Sequence, residues 1–427
     1  MLQNFFSLKE RGTNVRTEIL AGLTTFLTAA YIIFVNPGIL SATGMDKGAL
    51  ITVTCVVAGL SSILIGVWAN APLMMAPGMG LNAFFAFGLV LGAGIPWQTA
   101  LGVVFISGVF FFVLTVLGIR ERIVKAIPVS LRLATSVGIG LFIAFIGMKN
   151  LGLIVANEAT FVGLGELNST VILGLLGLLL IAILEVKKIR GSILIGILVT
   201  ALAGMILKIS AFPSGIVAAP PSMAPVAFQL DILGALKISL WASIFSFMFV
   251  DLFDSLGTML AVGREAGLEK DGEIQDLPRM LTADAVATVG GALLGTSTTT
   301  TYIESASGVA DGGRTGLTAV STGALFLLAA FFTPIIGSVQ AYATAPALIM
   351  VGIFMMRSIG QIDFHNFEDG VPAFLTFIMM PLTFSIAQGL AFGFLSYVLI
   401  KILVGKVKEV DPVLAIAALL SLVSLMV

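Results

Sequence analysis

The chain has 427 residues, of which 58% are hydrophobic and only 11% are charged. About 25% of the residues of a soluble domain are normally charged, so this composition excludes a soluble protein and predicts a polytopic α-helical membrane protein. The net charge of −1 argues against a nucleic-acid partner, and the single cysteine, Cys55, excludes an intramolecular disulfide and a Cys-rich metal site.

Apolar stretches alternate with short polar connections, and we interpret them as fourteen membrane segments. In chain order the segments cover residues 19–40, 48–69, 74–92, 97–118, 128–148, 169–186, 191–209, 236–262, 280–296, 298–311, 316–336, 342–357, 371–386 and 388–405. The apolar run 412–427 is too short to cross a bilayer comfortably, so we expect an interfacial or packed helix there.

Segments 3 and 10 lack the run of about 20 apolar residues that a spanning helix needs. In segment 3, Pro77 interrupts the helical hydrogen-bond ladder and the flanking glycines loosen the backbone. In segment 10, a run of threonines ending in Tyr302 favours extended backbone, and Glu304 follows at once. Irregular backbone and a carboxylate survive at membrane depth only inside protein or beside a cavity, so both breaks predict a binding site.

The basic residues test this segment count. If the N-terminus is cytoplasmic, the two ends and the loops after even-numbered segments contain 18 of the 22 Lys and Arg residues, as the positive-inside rule requires. The loop after segment 4 contributes Arg120, Arg122, Lys125 and Arg132. We therefore predict a multi-pass protein of the cell (inner) membrane with both termini in the cytoplasm.

Fourteen segments divide into two halves of seven, and an odd repeat length forces the second half to be inverted relative to the first. The broken segments, 3 and 10, are each the third segment of their half. Paired breaks at corresponding places indicate an inverted-repeat transporter whose binding site lies at the breaks.

Segment 8 has two carboxyl groups in mid-helix, Asp251 and Asp254. Their i, i+3 spacing places them on one helix face, and two like charges that close in a low dielectric cannot both ionise cheaply. We therefore expect one of them to hold a proton near neutral pH, as in a proton carrier. We expect Asp251 to face the ligand and Asp254 to tune its protonation, although the reverse assignment stays open. The alternative is a pair satisfied by Ser and Thr hydroxyls, with no transport role.

The two breaks offer hydrogen-bonding groups of different kinds. Glu304 follows the extended run of segment 10, and Asn82 occupies the matching place in segment 3. An amide both donates and accepts, and a short strand leaves further backbone groups free for a ligand. With Tyr302 and Phe253 beside them, these groups suit a flat, neutral heteroaromatic ligand that is bound at its edge and stacked on its face.

Three motifs carry a resemblance to a known family: Pro77–Phe85, Asp251–Thr258 and Thr299–Ser305. Through them, and over roughly residues 10–410, the chain resembles the nucleobase/ascorbate transporter superfamily, in particular its azaguanine-permease-like branch of adenine, guanine and hypoxanthine permeases. The wider superfamily has Asn-x-Gly after the acid, whereas this chain has Ser305, Ala306 and Ser307, a departure that favours the purine branch.

The resemblance implies the all-α fold of the bacterial uracil permease, with two inverted seven-segment repeats and short strands in segments 3 and 10. It implies a core domain from segments 1–4 and 8–11, a gate domain from segments 5–7 and 12–14, and a homodimer as the assembly to test. The expected boundaries are an N-terminus at 1–18, core halves at 19–118 and 236–340, gate halves at 119–235 and 341–405, and a C-terminal tail at 406–427.

The resemblance also implies roles for individual residues. Asn82, Asp251 and Glu304 match the binding residues of the branch. The full set expected to contact substrate is Leu81, Asn82, Asp251, Phe253, Tyr302, Ile303 and Glu304. Proton coupling is expected at Asp251, Asp254 and Glu304, with Gly80 and Thr258 supporting transport.

These residues together predict a secondary active transporter that imports purine nucleobases with protons by alternating access, its partners being the base, the proton and the bilayer. The alternative is an anion transporter or channel on the same fold. Anion sites prefer a nearby cation, and the expected core has acids but no mid-membrane Lys or Arg. An enzyme is not expected, because an intramembrane hydrolase would need an activated nucleophile or a metal set, and the sole histidine, His365, lies in a polar run. We expect no cofactor.

Overall fold

Helices make up most of the protein. This agrees with a membrane protein, because backbone groups inside a bilayer cannot hydrogen-bond to water and must be satisfied within the protein. The computed structural model describes residues 2–118, 126–270 and 273–426. Three basic residues of the predicted loop after segment 4, Arg120, Arg122 and Lys125, lie outside the described residues. Within the described ranges, nine helical stretches are long and apolar enough to cross a membrane, in agreement with the predicted class.

The helices are numbered here in chain order. They are α1 (Leu2–Phe5), α2 (Val15–Ala29), α3 (Ile32–Leu40), α4 (Lys47–Trp68), α5 (Met79–Ala83, continued by a π-helix at Phe84–Gly92), α6 (Trp97–Val116), α7 (Val129–Leu151), α8 (Ser169–Val186), α9 (Ser192–Ile206), α10 (Ile232–Ala235), α11 (Trp241–Glu265), α12 (Leu277–Leu294), α13 (Ser305–Ala310), α14 (Gly316–Ala329), α15 (Thr333–Ser338), α16 (Ala341–Met356), α17 (Phe367–Thr383), α18 (Ile386–Leu403) and α19 (Pro412–Met426). Short 3₁₀ helices lie at Ser41–Thr43, Ile238–Leu240, Ala330–Phe332, Arg357–Gln361 and Val407–Glu409.

In the described part of the chain, six short strands form three antiparallel pairs. The strands are β1 (Met75–Pro77), β2 (Ile154–Asn157), β3 (Phe161–Leu164), β4 (Glu269–Lys270), β5 (Glu273–Ile274) and β6 (Thr299–Thr301). β2 pairs with β3 and β4 with β5, each within one connection of the chain. β1 instead pairs with β6, so the breaks of segments 3 and 10 meet inside the protein.

The β1–β6 pair satisfies the backbone at the two breaks. Met75 lies opposite Thr301, and Pro77 lies opposite Thr299. Pro77 has no amide to donate, but a pair of only two strands leaves such a position tolerable. The short strands expected in segments 3 and 10 are therefore present, at residues that are buried throughout.

Two sets of helices pack mainly within themselves. In one set α14 packs against α2 and α4, and α12 against α4, α6 and α11. In the other set α7 packs against α16 and α17, α16 against α8 and α9, and α17 against α18. Glycines allow close approach in the second set: a Cβ added to Gly140 on α7 would lie 2.8 Å from the carbonyl oxygen of Gly352 on α16. Small residues serve the same purpose between membrane helices generally.

A buried carboxylate joins the start of α14 to α2. The side chain of Glu18 is 0% exposed and accepts hydrogen bonds from the amides of Arg314 (2.9 Å) and Thr318 (3.1 Å). The hydroxyl groups of Thr315 (2.8 Å) and Thr318 (2.6 Å) donate to it as well. Glu18 thus satisfies the amides at a helix start that water cannot reach, and an acid there also complements the helix dipole.

The apolar tail forms α19, which packs against α18 and α11. Leu414, Ala417 and Ala418 on α19 are buried, whereas Ile416 and Leu419 on its other face are exposed. A packed helix was one of the two structures expected for this run.

Candidate functional site

A large cavity of about 520 Å³ lies where the two helix sets meet. We call it the central cavity. One wall comes from α11, the end of β6 and the turn that follows it, and the opposite wall comes from α7 and α16. Its volume lies in the range of sites that bury small organic ligands.

The exposure of α7 shows which end of the central cavity is open. The lining of α7 runs from Val129 at the start of the helix to Ile139 in its middle. Val129 is 59% exposed and Ile139 only 4% exposed, so the mouth lies at the start of α7. The lining of α11 runs alongside, from Leu260 near the mouth to the buried Val250 at the inner end.

Glu304 faces the inner part of the central cavity because strand β6 ends just before it. The Tyr302 amide donates to the Met74 carbonyl (3.0 Å), and the Tyr302 hydroxyl donates to the Pro77 carbonyl (2.5 Å). These bonds fix the chain as it leaves the strand, and Glu304 then precedes α13. The Tyr31 hydroxyl, between α2 and α3, donates to Glu304 Oε1 at 2.5 Å. The carboxyl group is therefore oriented by Tyr31 and remains in contact with the cavity.

Tyr302, Ile303, Phe253, Gly80 and Thr258 also line the central cavity, as expected of a shared site. Ile303 is 54% exposed, so an apolar side chain covers one part of the space beside the carboxyl group of Glu304. Thr258 lies one turn beyond Asp254 on α11 and contributes a hydroxyl to the same wall.

The two aspartates of α11 have different surroundings. Asp254 lines the central cavity and is partly exposed to it. Asp251 is 1% exposed, is not part of the lining, and accepts a hydrogen bond from the Thr288 hydroxyl of α12 (3.2 Å). The geometry thus favours the reverse of the assignment expected from the sequence. Helix α11 is rotated so that Asp254 faces the central cavity and Asp251 faces α12.

Asn82 and Leu81 lie behind the wall and not on it. Asn82 is 0% exposed, and its Oδ1 accepts a hydrogen bond from the Ser297 hydroxyl. Its Nδ2 has no hydrogen-bond partner among the described residues. Leu81 is 1% exposed and packs in the apolar core. The expectation that both contact a ligand directly does not agree with these positions, because the short helix α5 turns them away from the cavity.

Gly80 on α5 packs against Ile139 on α7 at the inner end of the central cavity. A Cβ added to Gly80 would lie 2.5 Å from Cγ2 of Ile139 on α7, well inside van der Waals contact. The next nearest atom, Cδ1 of Ile143, would be at an ordinary 3.9 Å. Glycine at this position therefore lets α5 and α7 approach each other.

Arg132 is a charged lining residue that the sequence interpretation had placed in a loop. It lies on α7 one turn from Ser136, and both side chains line the central cavity. Its Nε is buried and has no hydrogen-bond partner within the described ranges. The signal that could have found it was its position inside the apolar stretch 128–148, after Pro128. Arg132 lies in the first turn of α7, near the mouth, so it does not contradict the expectation of a core without mid-membrane Lys or Arg.

Among the described residues, the charged groups that line the central cavity are two carboxyl groups on one wall and one guanidinium on the other. Within the described parts of the chain, no group of three or more His, Cys, Asp or Glu side chains is placed to hold a metal ion. The arrangement can accept hydrogen bonds from a ligand at its inner end and can attract an anionic group nearer its mouth.

Sequence comparison identifies relatives over almost the whole chain. The profile of a family described as "Permease family" matches residues 16–392. The adenine permeases AdeP and AdeQ of Escherichia coli (strain K12) are each 47% identical, covering 98% and 99% of this chain and 95% of each relative. The guanine/hypoxanthine permease PbuG of Bacillus subtilis (strain 168) is also 47% identical and covers 97% of both chains.

Comparison with solved structures supports the fold alone. The transmembrane domain of the cyanobacterial bicarbonate transporter BicA superposes with a TM-score of 0.67 at 16% identity, covering 89% of this chain and 97% of that one. The structure of SLC26A9 gives a TM-score of 0.63 at 11% identity, covering 92% of this chain and 65% of that one. The overall fold of this chain is thus similar to the folds of these two proteins.

Proposed function

This chain belongs to the permease family whose profile it matches, and on that premise we propose that it imports purine nucleobases with protons by alternating access. The names of the relatives supply the substrate class, since those at 47% identity are adenine and guanine/hypoxanthine permeases. The observation that carries the proposal is the central cavity, in which the carboxyl groups of Glu304 and Asp254 share a wall with apolar side chains.

We propose that Glu304 binds the edge of the base. A purine has ring N–H groups at its edge and two flat apolar faces, and a carboxyl oxygen accepts from such donors. The bond from Tyr31 occupies one oxygen and holds the group in place, which leaves the other oxygen for the ligand. Phe253 and Ile303 offer apolar surface for the faces of the ring. Asn82 acts indirectly in this scheme, by holding the chain before β6 through Ser297.

Proton coupling is the second part of the proposal. A neutral base gains nothing from the membrane potential, so its accumulation needs a co-transported ion. Asp254 and Glu304 share the central cavity, and a proton exchanged with either can reach solvent through the mouth. Asp251 is the supporting acid of the pair, bound to Thr288, whose hydroxyl also lies 2.9 Å from the carbonyl of Thr299 in β6.

Alternating access requires two bodies that move against each other, and the two helix sets supply them. We propose the core domain at 19–118 and 236–340 and the gate domain at 119–235 and 341–405, between an N-terminus at 1–18 and a tail at 406–427. Fourteen segments in two inverted repeats, cytoplasmic termini and a homodimer complete this proposal. The pairing of β1 with β6 supports it, since two inverted halves place equivalent breaks face to face. With both termini cytoplasmic, we propose that the mouth beside Val129 opens to the cytoplasm and that this arrangement is the inward-facing one.

The test is uptake of radiolabelled adenine and hypoxanthine by cells that lack their own purine uptake, with a competition panel of nucleobases. The Glu304→Gln variant keeps the shape of the side chain but loses its charge. Loss of one charge-assisted hydrogen bond costs about 1.5–3 kcal/mol, so base affinity should fall about 10-fold to 100-fold. Glu166→Gln, in an exposed connection, is the matched control and should leave affinity unchanged. Equal purine binding by purified Glu304→Gln and the parent would show that the assignment is wrong.

An anion transporter on this fold remains the second candidate, and Arg132 is the observation in its favour. The fold comparisons do not decide between the two, because sequence identity to those structures is only 11–16%. Uptake of bicarbonate or sulfate by the same cells, unaffected by any purine, would favour the anion transporter. Accumulation of purine that collapses when a protonophore is added would favour the proton-coupled permease.

A further inference from the structure

Arg132 has no part in the recognition of a neutral base, yet its guanidinium lines the same cavity as the two carboxyl groups. Its Nε is shielded from solvent and lacks a hydrogen-bond partner in the part of the chain that the structure describes. Arginine stays charged and presents a planar fork of donors that matches phosphate oxygens. A buried, unsatisfied donor of this kind costs free energy unless a ligand completes it.

The acids near Arg132 are occupied elsewhere. Asp369 lies on α17, which packs against α7. It accepts hydrogen bonds from Ser130 at the start of α7 (3.2 Å) and from Asn366 (2.7 Å). Asp254 and Glu304 belong to the opposite wall, and Glu304 is bound by Tyr31. Among the residues that the structure describes, Arg132 is therefore available to an anion that enters from the mouth.

The depth of the central cavity sets the distance between a phosphate bound at Arg132 and a base bound at the inner end. Arg132 precedes Ile139 by seven residues on α7, and at 1.5 Å per residue this is about 10 Å along the helix axis. Ile139 lies against Gly80 at the inner end, close to where the base would sit. A phosphate joined through ribose to a purine lies at a comparable distance from the far edge of the ring. The hydroxyl groups of Ser136 and Ser358 line the intervening space and suit a polar sugar.

We propose that the central cavity also binds a purine nucleoside 5′-monophosphate from the side of its mouth, with the phosphate on Arg132 and the base at the inner end. This inference rests on the proposed function for the position of the base. The nucleotide fills the cavity as an inhibitor and is not carried, because its charged phosphate stays at the mouth. Binding of this kind would slow import of bases when their nucleotides are abundant on the mouth side.

The experiment uses the purified full-length protein in detergent, and it measures thermal stabilisation by AMP, adenosine, CMP, ribose 5-phosphate and inorganic phosphate separately. Displacement of radiolabelled adenine by the same compounds gives their relative affinities. AMP should bind about 10-fold to 100-fold more tightly than adenosine, as expected for a charge-assisted contact, and more tightly than CMP or inorganic phosphate. Added salt should reduce the difference between AMP and adenosine.

The variant Arg132→Gln should abolish most of the preference for AMP over adenosine, and Arg132→Lys should restore part of it. Arg264→Gln is the matched control, since Arg264 lies one turn beyond Leu260 on α11, is not part of the cavity lining and pairs with Glu269 (3.6 Å). It should leave the AMP-to-adenosine ratio unchanged.

Several results would overturn the inference. They are equal binding of AMP and adenosine, equal binding of AMP and CMP or free phosphate, and an unchanged ratio in Arg132→Gln. Failure of the proposed function would give a different result. Adenine would then bind neither the parent protein nor any variant, whereas stabilisation by AMP could still be measured directly.

Discussion

Adding one methyl group at Gly80 should obstruct the contact between the two walls of the central cavity. The added Cβ of Gly80→Ala would lie 2.5 Å from Cγ2 of Ile139, whereas carbon atoms pack best at about 3.5–4.0 Å. The neighbouring atoms must therefore separate by about 1 Å or more. Overpacking of this size costs about 1–3 kcal/mol, and alanine is itself the better helix former, so the cost falls on the contact with α7. The arrangement of the two walls seen in this structure should become less populated by about 5-fold to 150-fold.

The assay is uptake of radiolabelled purine with expression and thermal stability measured in parallel. Gly80→Ala should lower the rate of uptake while the protein remains folded. Ile139→Ala, which removes the obstructing methyl group, should restore much of the loss in the double variant. Ile143→Ala is the matched control, because Ile143 meets the added Cβ only at 3.9 Å and should give no rescue. Normal uptake by Gly80→Ala, or equal rescue by both isoleucine changes, would refute the reasoning.

Three further predictions concern hydrogen bonds and one ion pair. Tyr31→Phe removes the donor to the cavity carboxyl group and should weaken purine binding about 10-fold in an equilibrium binding assay; an unchanged affinity would show that this bond does not orient the acid. Glu18→Gln should lower stability by about 1.5–3 kcal/mol, seen as a lower melting temperature, whereas the exposed Glu10→Gln should have no effect; equal melting temperatures would contradict the capping role. Asp311 pairs with Arg190, which joins the two helix sets, so Asp311→Asn should change the rate of uptake more than the equilibrium affinity; a change in affinity alone would contradict a conformational role.

Local chemistry made the two strands predictable from the sequence. Pro77 cannot continue a helical ladder, and consecutive threonines favour extended backbone, so the breaks followed from nearest-neighbour effects. Glu304 was likewise predictable as a cavity residue, because an acid beside irregular backbone in a membrane has few other places to lie.

The rotation and the ends of helices were not predictable in the same way. Whether Asp251 or Asp254 faces the cavity depends on how α11 turns against α12, which is decided by packing between residues far apart in sequence. Tyr31 meets Glu304 across 273 positions, beyond the reach of any local pattern. Arg132 was misplaced because basic residues near a helix start look the same whether they lie in the loop or in the first turn.

The pairing of β1 with β6 has a consequence for how the protein is made. Met75 lies opposite Thr301 in this pair, and Thr301 is translated 226 residues later (301 − 75). At about 5–20 residues per second, the ribosome needs roughly 11–45 s to supply that partner. Unpaired backbone groups in a bilayer cost several kcal/mol each, so until then segment 3 must stay in contact with water or with the insertion machinery. Segment 3 is therefore expected to enter its final position late, after most of the chain has been inserted.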